Sequence, residues 1–140
     1  RAIAYGLVKA GAAVTLFNRS ADRGEALAAR LGVRFAGPPE RLNEAGPFDL
    51  LAHATPVGFH DPSASLIDDA ALSSGMIVFD AVPMPLETRL LTMAIAKGCR
   101  TIAGVRMQLH QAAAQFELYT GRHPNVAVME RALREAIEAL

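Results

Sequence analysis

The chain has 140 residues, 51% of them hydrophobic and 20% charged, and its 14 Lys+Arg are balanced by 14 Asp+Glu. That length supports one domain with a core of its own and leaves no room for two, and the composition excludes a disordered chain. The absence of net charge or a basic stripe argues against a nonspecific nucleic-acid platform. A single cysteine, Cys99, rules out an internal disulfide, and His53, His60, His110 and His123 show no zinc-ligand spacing. No apolar run approaches the ~18 residues of a membrane span. The expectation is a soluble, cytoplasmic domain without nucleic-acid or membrane partners.

The opening Arg1-Ala2-Ile3-Ala4-Tyr5-Gly6-Leu7 has no initiator Met and no signal-peptide pattern, and it starts inside helical spacing, so the chain reads as a piece of something longer. Ile3, Leu7 and Val8 share a face of a helix over 2–10, which Gly11 stops. Residues 13–17 form an apolar strand, and 21–31 return to helical spacing and close at Gly32. A short strand at 33–35 precedes a one- or two-turn helix near 39–45. A strand over 49–54 ends at Thr55-Pro56-Val57-Gly58, and a short helix is expected within 66–73. Met76 to Ala81 is the clearest buried strand, followed by the Pro83 and Pro85 loop and a helix over 87–97 with Gly98 at its end. Thr101-Ile102-Ala103 is the last strand. Two helices complete the chain, over 105–119 and over 125–139, the second with Val128, Ala132 and Ile137 inward.

Continuous apolar strands alternating with helices predict an α/β fold, a doubly wound parallel sheet covered on both faces. Ligands of such sheets sit beyond the carboxyl ends of the strands, which directs attention to the residues after 17, 54, 81 and 103. At the first of these stand Asn18, Arg19 and Ser20, with Arg23 a turn further on. A dinucleotide fold that selects NAD usually carries an acid here, and none occupies 17–20. Arg19 can stack on adenine or grip a phosphate, Ser20 can donate a hydroxyl, and Arg23 adds a cation, a local NADP-type socket. The alternative is Ser20 as a plain helix cap beside two solvated arginines.

The other positions also admit two readings. Thr55-Pro56-Val57-Gly58 could let backbone approach a cofactor, or form an ordinary strand-ending turn. Asp80 could be functional or could accept from loop amides. Met107 and Gln111 lie at i and i+4, and Gln111 could be a substrate ligand, or the pair could be core plus surface. His53 reads as hydrogen-bonded structure more readily than as a base. Cys99 beside Arg100 could be reactive, but nothing pairs with it.

Taken in order, these pieces resemble the C-terminal, NADP-binding part of the shikimate dehydrogenase family over essentially the whole chain. Arg1 to Leu7 resembles the helix after the family's glycine-rich loop, and Asn18-Arg19-Ser20 its Asn-Arg-Thr motif, with Arg23 a further phosphate arginine. Ala54 to Gly58 is similar to a cofactor-contacting segment, Val78 to Ala81 to the strand leading to the nicotinamide, and Gly104-Val105-Arg106-Met107 with Gln111 to the Gly-x-x-Met…Gln signature. Phe79 to Leu91 and Gln111 to Gly121 look closest to members fused to a 3-dehydroquinate dehydratase.

The resemblance implies reversible hydride transfer between NADPH and 3-dehydroshikimate, with Gly104 and Met107 flanking the nicotinamide and Gln111 reaching the substrate, a small molecule. It also implies that the proton-handling Lys and Asp, the first strand and the glycine-rich loop belong to chain preceding Arg1, so no catalytic residue is expected here and the piece alone should not catalyse. Pro83, where many members carry a substrate-facing Tyr, Arg106, where Gly, Pro or Glu is usual, and His53, where Asn is common, depart from the pattern. They leave a quinate or related polyol-acid dehydrogenase as an alternative, alongside a noncatalytic NADP-sensing module. In the usual order 3-2-1-4-5-6 the absent strand lies between the strands at 13–17 and 49–53, so these two should share no ladder.

Overall fold

The computed structural model describes residues 1–139. Helix α1 (Ala2–Lys9) leads to strand β1 (Thr15–Leu16), helix α2 (Ala21–Leu31) and strand β2 (Arg34–Phe35). A 3-10 helix, Pro39–Glu44, precedes β3 (Leu50–His53), and a second, Asp69–Ala71, lies on the way to β4 (Ile77–Asp80). Then follow α3 (Arg89–Ala96), β5 (Arg100–Ile102), α4 (Gly104–Thr120) and α5 (Val126–Glu138). Every expected element is present: the first four strands are one to three residues shorter, the last is shifted one residue toward the N-terminus, and both short helices are of 3-10 type. Gly32 and Gly121 stop α2 and α4 in the left-handed conformation, with φ of 67° and 66°.

All ladders are parallel: β1 with β2, β3 with β4, and β4 with β5. The strands form two separate sheets, β1-β2 and β3-β4-β5. No ladder joins β1 to β3, as the strand order led us to expect. Their flanks meet instead through an edge-to-face contact of Phe17 and Phe48, with ring centroids 6.2 Å apart.

The core lies under the larger sheet. Val78 of β4 packs with Leu90, Leu91 and Ala94 of α3, with Leu42 of the first 3-10 helix, and with Ile67, Leu72 and Met76. Burying apolar side chains of this size stabilises by about 1.5–3 kcal/mol each. The smaller sheet is held differently: Gly24 of α2 faces Phe35 so closely that a Cβ there would lie 2.2 Å from the ring. Helix α2 and strand β2 touch through that missing side chain.

The inward face of α5 differs from the expectation. Val128 is 47% exposed and Ala132 is exposed, whereas Val126, Met129, Leu133 and Ile137 are half-buried. The helix has apolar residues on two adjacent stripes, and contact with α4 selects between them. Glu130 accepts from Arg106 of α4 at 2.8 Å and from Arg134 at 3.0 Å, which turns 126, 129, 133 and 137 toward the seam. These ion pairs are part-exposed and set direction more than energy. No helix among the described residues is long and apolar enough to cross a membrane.

Candidate functional site

Two groups of residues stand at the carboxyl ends of the strands. The first follows β1. The Asn18 amide donates to the Gly37 carbonyl at 3.0 Å, and its side-chain Nδ2 donates to the Ser20 carbonyl at 2.7 Å. Asn18 thus turns inward and pins the loop, while Arg19 and Arg23 are left exposed. Ser20 occupies the extended N-cap position of α2, but its side chain makes no capping hydrogen bond. Ser20 thus holds the cap position with its hydroxyl uncommitted, and the two guanidinium groups beside it are exposed, as the plain-cap alternative also expects. Asp22, in the same first turn, complements the positive helix end.

The second group joins the ends of β3 and β4, where His53 stands in register with Asp80. Both are buried, Asp80 completely. His53 Nδ1 lies 2.9 Å from Asp80 Oδ1, and its Nε2 lies 2.6 Å from Thr55 Oγ1. Asp80 Oδ1 also accepts from the Val82 amide at 3.1 Å, and Oδ2 accepts from the Thr88 hydroxyl at 2.6 Å. Thr88 caps α3 by accepting from the Leu91 amide, and Thr55 accepts from the Val57 amide at 3.3 Å. Burial pushes the Asp80 carboxyl up, but the hydrogen bonds from His53, Thr88 and Val82 outweigh it and hold the group below the usual carboxylate range. Among the described residues no buried side-chain nitrogen or oxygen lacks a partner.

The readings of His53 as hydrogen-bonded structure and of Asp80 as an acceptor of loop amides both hold. Thr55 is more than an ordinary turn residue, because its hydroxyl is tied to a side chain of the preceding strand. Thr88 was not singled out from the sequence. Its signal was a Thr just before the apolar run Leu90 to Ala96, the pattern of a helix N-cap.

The Ala81 amide donates to the His53 carbonyl at 2.9 Å, so Ala54, Thr55 and Ala81 are neighbours. Gly104 joins them at the start of α4: a Cβ there would lie 2.4 Å from the Val82 carbonyl oxygen. The glycine is thus required first by backbone packing against the loop after β4. Met107, one turn along, is half-buried, and Gln111, a turn further, is exposed. That accords with core plus surface, and it leaves the Gln111 amide open to a ligand. Asn18, Arg19, Ser20 and Arg23 stand at the other sheet. Among the described residues no group of three or more His, Cys, Asp or Glu is placed to hold a metal ion. Cys99 donates its thiol to the Ser73 carbonyl at 3.2 Å.

Both groups lie at the carboxyl ends of parallel strands, where open α/β sheets bind their ligands. The comparisons agree. Residues 104–134 match the Shikimate 5'-dehydrogenase C-terminal domain family. A shikimate dehydrogenase (NADP(+)) of Methanosarcina mazei is 37% identical over 99% of this chain and 52% of its own length. The crystal structure of shikimate 5-dehydrogenase from Thermus thermophilus in complex with NADP(H) and shikimate is similar with a TM-score of 0.86 and 40% identity, over 96% of this chain and 50% of that one. Quinate dehydrogenase from Corynebacterium glutamicum in complex with NAD has a TM-score of 0.83 and 34% identity, over 99% and 51%. The chain spans about half the length of the curated relatives it matches. The fold is the Rossmann-type α/β fold of these dehydrogenases.

Proposed function

We propose that this chain is the NADP-binding part of a shikimate dehydrogenase, an oxidoreductase that reversibly reduces 3-dehydroshikimate to shikimate. The observation that carries the reading is the uncapped start of α2 between two exposed arginines, at the strand end where an NAD-selecting fold would carry an acid. The residues present suit the cofactor: Arg19 and Arg23 offer charge-assisted hydrogen bonds to a 2′-phosphate and Ser20 a neutral one, while Asn18 holds the loop. Ala54, Thr55, Ala81, Gly104 and Met107 form the wall that would face the nicotinamide, and Gln111 would reach the substrate hydroxyls. NADP, when bound, supplies or accepts the hydride. The role of this chain is to select and orient it.

On this reading the substrate is a small molecule shared with an upstream domain that carries the proton-handling Lys and Asp, the first strand and the glycine-rich loop. The separation of β1 from β3 supports it, since an added parallel strand would pair with both. The likeness of Phe79 to Leu91 and Gln111 to Gly121 to members fused to a dehydratase is tested by translating the gene upstream of Arg1.

The test is the full-length protein assayed for NADP reduction with shikimate and quinate, each with NADP and NAD. Shikimate with NADP is expected to give the highest kcat/KM. A preference for quinate would move the assignment to the second reading, which the likeness to quinate dehydrogenase and Pro83 favour. Cofactor binding without turnover of either acid would leave an NADP-sensing module.

A further inference from the structure

Both ring nitrogens of His53 are engaged. Asp80 already accepts from the Val82 amide and the Thr88 hydroxyl, so in a neutral ring Nδ1 is the nitrogen that donates, to Oδ1. In that tautomer Nε2 accepts, and the hydroxyl of Thr55, 2.6 Å away, is the donor. The Thr55 oxygen then uses a lone pair for the Val57 amide at 3.3 Å. The donors run from the Val57 amide through Thr55 and His53 to Asp80, and the Thr88 hydroxyl, at the cap of α3, donates to the same carboxylate from the other side. The ring is 6% exposed and Thr88 is 1% exposed. Gly58, with φ of 94°, closes the loop against Thr88, whose Cγ2 lies 3.6 Å from the position a glycine Cβ would take. The start of the loop after β3 is therefore tied by side chains to the Asp80–Thr88 unit through the imidazole, beside the backbone bond from the Ala81 amide to the His53 carbonyl, and Gly58 passes next to Thr88.

From this we infer that His53 is a positioning residue, whose ring links the Thr55–Gly58 loop to the end of β4 and so sets the loop that would face the nicotinamide. The inference rests on the proposed function for the identity of the ligand, and on the hydrogen bonds alone for the coupling. Asn reaches where Nδ1 lies and Gln where Nε2 lies, so the two halves of the link can be cut separately. In the full-length enzyme His53→Asn should keep the bond to Asp80 and lose Thr55. The KM for NADP should then rise roughly threefold to tenfold, the scale of one hydrogen bond, with kcat and thermal midpoint little changed. His53→Gln should do the opposite, lowering the midpoint and leaving KM near wild type. In a Thr55→Val background, His53→Asn should add nothing, because the shared bond is already gone.

A KM that rises equally for both His53 variants, or effects of His53→Asn and Thr55→Val that simply multiply, would overturn the proposal. A lowered midpoint for His53→Asn with unchanged KM would reduce His53 to a structural role and overturn it too. If His53→Asn fails to fold, His53→Gln decides: a raised KM sinks the link. If the wild-type enzyme turns over no shikimate with NADP, the functional reading fails by itself. The coupling is then read by hydrogen exchange at the Val57 amide, expected to accelerate in His53→Asn while the β3–β4 ladder stays protected, and unchanged exchange would overturn it.

Discussion

The end of β1 and the joined ends of β3 and β4 solve opposite problems. After β3 and β4 the polar groups are buried, and the chain supplies a partner for each: His53, Asp80, Thr55 and Thr88 close on one another. After β1 Asn18 is satisfied internally, and Arg19 and Arg23 face outward with no ion pair to either among the described residues. Buried polar groups must be paired within the fold or they cost it stability, whereas exposed ones can wait for a ligand. The first region should therefore govern folding, and the second should govern cofactor choice.

The largest way to break that contrast is Asp80→Ala, which strands the donors of His53, Thr88 and Val82 in a fully buried site. We expect a loss of about 3–5 kcal/mol in chemical denaturation, the range for removing one partner of a buried pair. The same network gives a pH dependence with a definite sign. The folded Asp80 carboxyl lies below its usual value, so its contribution is complete above the ordinary carboxylate range of ~3.9 and is lost as pH falls through the folded value. Urea midpoints followed into acid should drop less steeply in Asp80→Asn than in wild type.

Next in size is Arg19→Ala. Loss of a hydrogen bond to a charged group is worth about 1.5–3 kcal/mol, so the KM for NADP should rise roughly 10- to 100-fold. NAD kinetics and the melting temperature should hardly move, and equal losses for both cofactors would remove Arg19 from the phosphate. Gln111→Ala sharpens the other side of the site. An unpaired substrate hydroxyl costs on the order of 1–3 kcal/mol, which should appear in the shikimate KM or kcat with NADP affinity unchanged. Unaltered shikimate kinetics would leave Gln111 as surface. The smallest effect belongs to Val128→Ala: with its side chain 47% exposed, the change should stay within about 0.5 kcal/mol by thermal denaturation. A loss of core size there would mean that α5 docks on the stripe first expected of it.

Local chemistry was legible in the sequence wherever one residue type answers one physical need. The glycines at 32, 98 and 121 ended helices because only glycine takes the left-handed turn freely, with φ of 67°, 74° and 66°. The runs Leu50 to His53 and Ile77 to Asp80 were apolar enough to name as buried parallel strands, and their carboxyl ends named the places to look. The missing β1–β3 ladder followed from the usual strand order together with the first strand that the family resemblance places before Arg1. What the sequence could not decide were choices among partners distant in the chain. On α5 the stripe of Val126, Met129, Leu133 and Ile137 carries more apolar bulk than Val128 and Ala132, and packing on α4, with Arg106 reaching Glu130, decided which faced inward. Ser20 had the composition of a cap, yet the loop pinned by Asn18 left its hydroxyl unused. Thr88 lies 35 positions from His53 in number, and only the parallel register His53 to Asp80 brings the two to opposite sides of one carboxylate. Periodicity and turn chemistry act between neighbours, while a buried hydrogen bond depends on which groups the packed sheet leaves facing each other.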